Sequence, residues 1–206
     1  VVTVTATPYI SSTFTGWSGD ASGLINPTVV TIDGDKVITG AFTLKHFPLA
    51  LAKTSTGDGT VANEPVGSGF DYGTVVTVTA TPYISATFDG WSGDASGATN
   101  PLLVTMDVTK AITATFTMKT YVITPTAGAN GSITPNSAQT LNYGDGQVFT
   151  IAADPHYHIL DVMVDSVSVG AVGSYTFTNV TADHAITASF AIDVHSLSLF
   201  KDGPGD

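Results

Sequence analysis

Two histidines and a set of aspartates have the residue types and spacing that could bind a metal ion. His156 and His158 lie two residues apart, so on a strand both would face the same side, although no third ligand lies nearby in sequence. Aspartate oxygens in glycine-rich loops can hold Ca²⁺, but none of these loops has EF-hand spacing, and aspartate is also an ordinary turn residue. The loop aspartates are Asp33, Asp35, Asp58, Asp94 and Asp145. We expect no cofactor, with Ca²⁺ as the alternative.

Four aromatic residues could stack on sugars as exposed rings do in carbohydrate-binding proteins. Trp17 and Trp91 each precede a Ser-Gly-Asp loop, and Tyr9 and Tyr83 each follow a proline. The competing interpretation places both tryptophans in a core, where a large ring buries much apolar area. Both interpretations remain open from the sequence, and core packing is the preferred one.

Covalent chemistry has little support in the sequence. The chain has no GxSxG elbow, no HExxH motif and no phosphate-binding loop, so we expect no enzyme. Two Asn-x-Ser/Thr triplets, at Asn130 and Asn179, are candidate glycosylation sites in turns or loops.

A long internal repeat organises the chain. The stretch VVTVTATPYISSTFTGWSGDASG at Val1 returns at Val75, an offset of 74 residues that holds without a gap through Lys45 and Lys119. About seven positions in ten are identical between the two copies. Such a period is the length of one small domain.

Alternation of apolar residues with threonine predicts strands throughout the repeat. We expect turns at Thr56 to Gly59, Asp33 to Lys36 and Asn130-Gly131 to close β-hairpins, and a Pro/Gly loop over Glu64 to Thr74. A third, divergent copy lacks the tryptophan, and Met163 is its predicted replacement.

The repeat divides the chain into four predicted segments. They are the C-terminal part of a module (1–44), a complete module (45–118), a divergent module (119–191) and the first strand of a further module (192–206). About four residues join consecutive modules, without a Gly/Ser-rich linker. If the first and last strands of a module run parallel, its ends lie apart, and the modules are predicted to form an extended rod.

Composition excludes several classes of partner. The chain of 206 residues carries a net charge of −11 and has no arginine, which argues against nucleic acid and anionic membranes. Cysteine is absent, and no apolar run is long enough to span a bilayer. The scarcity of charge and the abundance of threonine, serine, glycine and valine are typical of β-rich surface proteins.

The ordered motifs resemble those of the divergent internalin-B B-repeat. They are L-x-L-x-K…G-x-G-T-V, G-T-V-V-T-V-T-A-T-P, F-x-G-W-S-G-D and V-T-M-D-x-x-K-x-I-T-A-T-F, and together they cover nearly the whole chain. The resemblance implies an all-β fold of small β-grasp-like or sandwich-like modules, an extracellular cell-surface location, and a role as a spacer or an adhesive repeat. Many members of the family carry a cysteine pair that this chain lacks.

The predicted function is therefore structural: a stalk, spacer or fibre-building segment of a cell-surface protein. The tail resembles the first strand of a module through Leu197, Leu199 and Lys201, so it is a candidate strand donor to the incomplete first module of another copy. Expected partners are copies of the chain or flanking repeats. The alternative is an adhesive or carbohydrate-binding module with host or matrix glycans as partners.

Overall fold

The computed structural model describes residues 1–200 of the chain, and its regular secondary structure there consists of β-strands without a helix. The all-β prediction is confirmed. The chain divides into two compact units, Val1–Thr117 and Met118–Asp206. The first unit contains an incomplete module followed by a complete one, and the second contains the divergent module.

The incomplete first module has four strands in two small antiparallel sheets. In one sheet β1 pairs with β3, and in the other β2 pairs with β4. The strands are β1 (Val2–Val4), β2 (Ser12–Gly19), β3 (Thr28–Val30) and β4 (Ile38–Leu44).

The complete module has seven strands in two sheets. The order is β7-β5-β11-β9 in one sheet and β10-β8-β6 in the other, and β5 runs parallel to β11. The strands are β5 (His46–Ser55), β6 (Gly59–Glu64), β7 (Gly69–Asp71), β8 (Val75–Pro82), β9 (Ala86–Gly93), β10 (Leu102–Thr105) and β11 (Lys110–Met118). The segment predicted as a loop over Glu64 to Thr74 thus contains the short strand β7.

The divergent module repeats this plan with eight strands. Its sheets have the orders β14-β12-β19-β16-β17 and β13-β15-β18, and β12 runs parallel to β19. The strands are β12 (Thr120–Ala127), β13 (Gly131–Thr134), β14 (Gln139–Asn142), β15 (Gln147–Ala153), β16 (Tyr157–Val164), β17 (Val167–Gly170), β18 (Ser174–Phe177) and β19 (His184–Ile192).

Alternating apolar residues fill the space between the two sheets of each complete module. Val76 and Val78 of β8 and Ile112 and Phe116 of β11 are buried in one cluster, although β8 and β11 belong to different sheets. The threonines between them point away from that cluster, as the pleat requires. The module is therefore a two-layer sandwich with one core, and a second such core lies within the divergent module.

The predicted hairpins are wrong. The turns at Asp33 to Lys36, Thr56 to Gly59 and Asn130-Gly131 each connect strands of different sheets. For the turns at Thr56 to Gly59 and Asn130-Gly131 the physical reason is that one flanking strand already has a partner on each edge: β5 lies between β7 and β11, and β12 lies between β14 and β19. At Asp33 to Lys36 the flanking strands β3 and β4 pair with β1 and β2 in separate sheets. Each turn therefore carries the chain across the core instead of along one sheet.

Val162, not Met163, occupies the tryptophan position of the divergent module, so the sequence prediction is wrong by one residue. Val162 pairs with Ala188 and is fully buried, whereas Met163 is exposed. The corresponding pair in the first module is Trp17 with Gly40. A shift of one residue along a strand exchanges its two faces. The Ser-Gly-Asp loop is replaced here by the hairpin β16–β17.

Two glycines of one loop in the complete module allow a matched test of backbone crowding. Gly93 and Gly97 both have positive φ values, 87° and 84°. A Cβ at Gly93 would collide with the carbonyl oxygen of Ala111, whereas a Cβ at Gly97 would meet nothing. We expect Gly97→Ala to lower the free energy of unfolding by about 1 kcal/mol, the cost of the left-handed conformation.

Gly93→Ala should lower it by about 3 kcal/mol, since the collision adds to that backbone cost. Chemical denaturation of the two variants measures the difference. Equal destabilisation would contradict the close approach of Gly93 to the last strand.

Candidate functional site: the uncovered surface of the first module

The first module exposes apolar residues whose counterparts 74 positions later are buried. Val2 is 49% exposed where Val76 is fully buried, Ile32 is 54% exposed where Met106 is fully buried, and Phe42 is 45% exposed where Phe116 is fully buried. Because the two segments are about seven-tenths identical, their own composition does not explain the contrast. The difference in exposure arises because other strands cover these residues in the complete module.

Strands β5 and β6 cover this surface in the complete module. Strand β5 pairs along β11, and β6 pairs along β8. They contribute Leu49, which is buried in the core, and Leu51 and Val61, which pack against it. Among the described residues 1–200, no strand pairs with the corresponding edges of β4 and β1. The first module therefore presents two open strand edges beside an apolar surface, a combination that favours pairing with another strand.

The remainder of the first module is built like the complete one. The side chain of Asn26 accepts a hydrogen bond from the Ala6 amide (2.8 Å) and donates one to the Ala6 carbonyl (2.6 Å). Asn100 makes the same pair of bonds with Ala80, at 3.0 and 2.7 Å. Sequence reasoning did not identify this role of the two asparagines, although both precede proline in the repeat.

Both tryptophans lie in the cores of their modules. Trp17 and Trp91 are buried, and their indole N–H groups donate to the carbonyls of Ile25 and Thr99, each at 2.9 Å. Each ring also packs on a phenylalanine with centroids 5.0 Å apart. Tyr9 and Tyr83 are exposed. Of the four rings considered for sugar stacking, only the two tyrosines present a large surface to solvent.

Four of the five loop aspartates bind other groups of the protein. Asp33 forms an ion pair with Lys36 (2.7 Å), and Asp58 forms one with Lys53. Asp94 accepts a bond from the Ala111 amide (2.7 Å), Asp145 accepts one from Asn142 (3.2 Å), and Asp35 is exposed. Across the described part of the chain, no three His, Asp or Glu side chains are placed to hold a metal ion. The prediction of a chain without a cofactor remains a prediction.

The two histidines do not lie on one strand face. His156 has a φ of 72° and precedes β16, whereas His158 lies within β16. Its Nδ1 atom is 2.9 Å from an oxygen of Asp193. The turn therefore separates the two side chains that the sequence pattern grouped together.

The candidate glycosylation residues lie at exposed positions between strands. Asn130 precedes β13 and Asn179 follows β18, with φ values of 71° and 51°. Both side chains are accessible. Their modification remains a prediction.

The predicted strand donor is exposed. Leu197 and Leu199 are almost fully accessible, and residues 193–200 form no strand. Lys201, the third predicted donor residue, lies outside the described residues.

A shallow cleft of about 550 Å³ lies where the first and complete modules meet within the first unit. Its lining is mainly apolar or aromatic, with one lysine and one aspartate: Ile10, Lys45, Phe47, Tyr72, Asp107 and Val108. Lys110 forms an ion pair with Asp107 (2.7 Å), and its hydrogen bond holds the pKa of Asp107 below its ordinary value.

Comparison with known proteins identifies the repeat. The family model of the divergent InlB B-repeat domain matches residues 1–46, 49–120 and 121–194. No curated protein and no solved structure matches the chain. In the described residues there is no helix long and apolar enough to cross a membrane.

The buried position of Trp91 predicts a large effect on stability. Trp91→Ala removes a core ring and an indole hydrogen bond, so we expect a loss of about 3–5 kcal/mol in the free energy of unfolding. The control Tyr83→Ala removes an exposed ring and should change stability by about 0.5 kcal/mol or less. Thermal or chemical denaturation distinguishes the two variants. Unfolding is followed by far-UV circular dichroism, because this backbone signal does not require the tryptophan that is removed. A folded Trp91→Ala variant of unchanged stability would contradict core packing.

A carboxylate in the divergent module predicts a pH dependence. Asp165 accepts a bond from the Ala185 amide (2.9 Å) and lies 2.6 Å from Nδ1 of His184, and both contacts lower its pKa. A lowered folded-state pKa stabilises the fold above the unfolded value, about 3.9, and this contribution disappears as the pH falls through the folded value.

Asp165→Asn should therefore lower the melting temperature of the Met118–Asp206 unit at pH 7, and the difference should shrink as the pH falls from about 5 to about 2. The exposed Asp35→Asn serves as a control with little effect. Calorimetry at several pH values measures both. A difference independent of pH would contradict the role of the ionised carboxylate.

Proposed function

Because the chain belongs to the divergent InlB B-repeat domain family, we propose that it is a stalk or spacer segment of a bacterial surface protein. The family is a structural surface domain type. Its repeats occupy residues 1–46, 49–120 and 121–194, so nearly the whole chain consists of this unit. The proposed role is to carry other parts of a surface protein outward from the cell, with no chemistry of its own.

The observation that carries this proposal is the parallel pairing of the first and last strands in each complete module. In the complete module the ladder runs from Leu49 opposite Lys110 to Ser55 opposite Phe116. In the divergent module it runs from Ile123 opposite His184 to Ala127 opposite Ala188. The chain therefore enters at one end of the ladder and leaves at the other. Tension along the chain loads all the ladder hydrogen bonds together.

Short connections between modules support the same role. A single residue, Lys45, separates β4 from β5, and a single residue, Lys119, separates β11 from β12. Flexible spacers are usually longer and rich in glycine and serine. A chain whose modules follow one another strand to strand has little slack, which suits a spacer.

A fibre-building role is the more specific form of this proposal. The first module has open edges on β1 and β4, and the tail carries an alternating apolar pattern. Strand complementation between copies would join these features head to tail.

An adhesive or carbohydrate-binding role has weaker support. The two tryptophans face the cores of their modules, and only Tyr9 and Tyr83 remain as exposed rings among the four candidates.

Single-molecule pulling tests the spacer role, and the absence of cysteine allows specific handles. With handles at Lys45→Cys and Thr117→Cys, force shears the β5–β11 ladder. With handles at Ser55→Cys and Thr117→Cys, force opens the same ladder from one end, because Ser55 lies opposite Phe116. We expect a rupture force several times higher in the shearing geometry, since forced unfolding follows the barrier on the loaded path.

The shared Thr117→Cys substitution makes the two geometries a matched pair. Equal and low rupture forces in both geometries would count against a mechanical spacer.

A further inference from the structure

We propose that Asn130 is a site of spontaneous deamidation, in which the backbone amide nitrogen of Gly131 attacks the Asn130 side chain. The reactants are the single Asn-Gly pair of the chain and water, and the products are ammonia and an aspartate or isoaspartate at position 130. The site lies in the crossing from β12 to β13 of the divergent module. This chemical change of the chain is independent of the proposed spacer role.

The core of each complete module requires a glycine at this crossing. A Cβ at Gly131 would lie 2.3 Å from the ring of Phe190, and a Cβ at Gly59 would lie 2.6 Å from the ring of Phe116. Phe116 is buried in one core, and Phe190 packs against the other. Neither glycine can gain a side chain without moving one of these rings. The residue before each glycine therefore always precedes an amide nitrogen that no side chain shields.

The Gly131 amide takes no part in the ladder of its own sheet. The Asn130 carbonyl accepts a bond from the Asp154 amide (3.0 Å), just beyond the pair of Gly131 and Ala153. Because bonded and non-bonded pairs alternate along an antiparallel ladder, Gly131 and Ala153 form a non-bonded pair, and the Gly131 amide faces away from β15. In the described part of the chain β13 is an edge strand, so no strand pairs with that side.

The Asn130 side chain is available for attack. Asn130 is exposed with a φ of 71°, and among residues 1–200 its side-chain amide has no hydrogen-bond partner. The other asparagines of the divergent module precede serine, tyrosine or valine, whose Cβ atoms crowd the attacking nitrogen. They are Asn136, Asn142 and Asn179.

The reaction balances with water as the co-reactant and without any change in oxidation state. A base in the solvent removes the proton of the Gly131 amide, and the nitrogen forms a bond to Cγ of Asn130. The bond from Cγ to Nδ2 breaks, and ammonia leaves with a proton from the solvent, so that a cyclic succinimide remains. Water then opens this ring at either carbonyl carbon. One opening leaves aspartate, and the other leaves isoaspartate, whose backbone runs through the former side chain.

The complete module holds the equivalent position in a less reactive form. Asp58 precedes Gly59, accepts a bond from its amide (2.8 Å) and forms an ion pair with Lys53. The hydrogen bond from Lys53 lowers the pKa of the Asp58 carboxyl, and an ionised carboxylate is a poor target for a nucleophile. Ala127 stands at the position of this lysine in the divergent module, so Asn130 has no corresponding partner.

The two products differ in their effect on the module. Isoaspartate lengthens the backbone by one atom between the carbonyl that binds Asp154 and the glycine that lies against Phe190. We expect this product to lower the stability of the divergent module, whereas aspartate leaves the backbone unchanged. Either product removes the amide that glycosylation of Asn130 would need, so the two modifications exclude each other.

The experiment incubates the folded, unglycosylated full chain at neutral and mildly alkaline pH and follows it by peptide mass spectrometry. We expect Asn130 to convert at least about tenfold faster than Asn136, since glycine lacks the Cβ that shields the nitrogen. The rate should rise with pH, because the attacking nitrogen must lose its proton. Selective enzymatic methylation identifies isoaspartate. The control Asn130→Gln would have to close a larger, less favourable ring and should stay unmodified at this position.

A second variant tests the difference between the two modules. At mildly acidic pH, Lys53→Ala should raise the rate of isoaspartate formation at Asp58 several-fold, because a larger fraction of that carboxyl is then protonated. An unchanged rate would overturn the protection of Asp58 by Lys53.

Three outcomes would overturn the proposal at Asn130. A folded chain that stays unmodified there, while the same chain in denaturant reacts, means that the fold protects the pair. Equal conversion at Asn136, Asn142 and Asn179 means that the Gly131 amide has no special role. Conversion to aspartate without isoaspartate means that water attacks the side chain directly and no succinimide forms.

Discussion

The parallel pairing of the first and last strands is the constraint on which each complete module depends. Strand β5 must lie beside β11, and β12 beside β19, before either sheet reaches its full width. This contact joins residues about 60 positions apart, such as Leu49 and Lys110, so it carries a large loop-closure entropy. Burial of Leu49, Ile112 and Phe116 in one core offsets that entropy.

The incomplete module shows the same segment without that contact, in a sequence about seven-tenths identical to that of the complete module. The internal hydrogen bonds persist, including the Asn26 bridge to Ala6 and the indole bond of Trp17 to Ile25. What changes is burial: Val2, Ile32 and Phe42 are exposed where their counterparts are not. Local structure therefore comes from the repeat itself, whereas a closed core comes from the strands that another segment supplies.

In each module a carboxylate binds a backbone amide at an equivalent position. Asp20 and Asp94 accept the amides of Val37 and Ala111 at the start of the last strand, each at 2.7 Å. In the divergent module Asp165 takes this role toward Ala185, although its loop is a hairpin and not the Ser-Gly-Asp loop. Two different loops thus present a carboxylate to the same backbone position, which gives aspartate a structural role there.

The sequence by itself determined the strand content, the 74-residue period and the family, because alternation and repetition are local properties that one chain displays directly. Only the tertiary structure decided which strands share a sheet: hairpins expected at Thr56 to Gly59 and Asn130-Gly131 became crossings between sheets, since distant strands occupied the edges of β5 and β12. It likewise placed Val162 rather than Met163 in the core and the tryptophans inside their modules. The reason is that a pleat gives every strand two faces and two edges, and only the packing of distant segments decides which of them is covered.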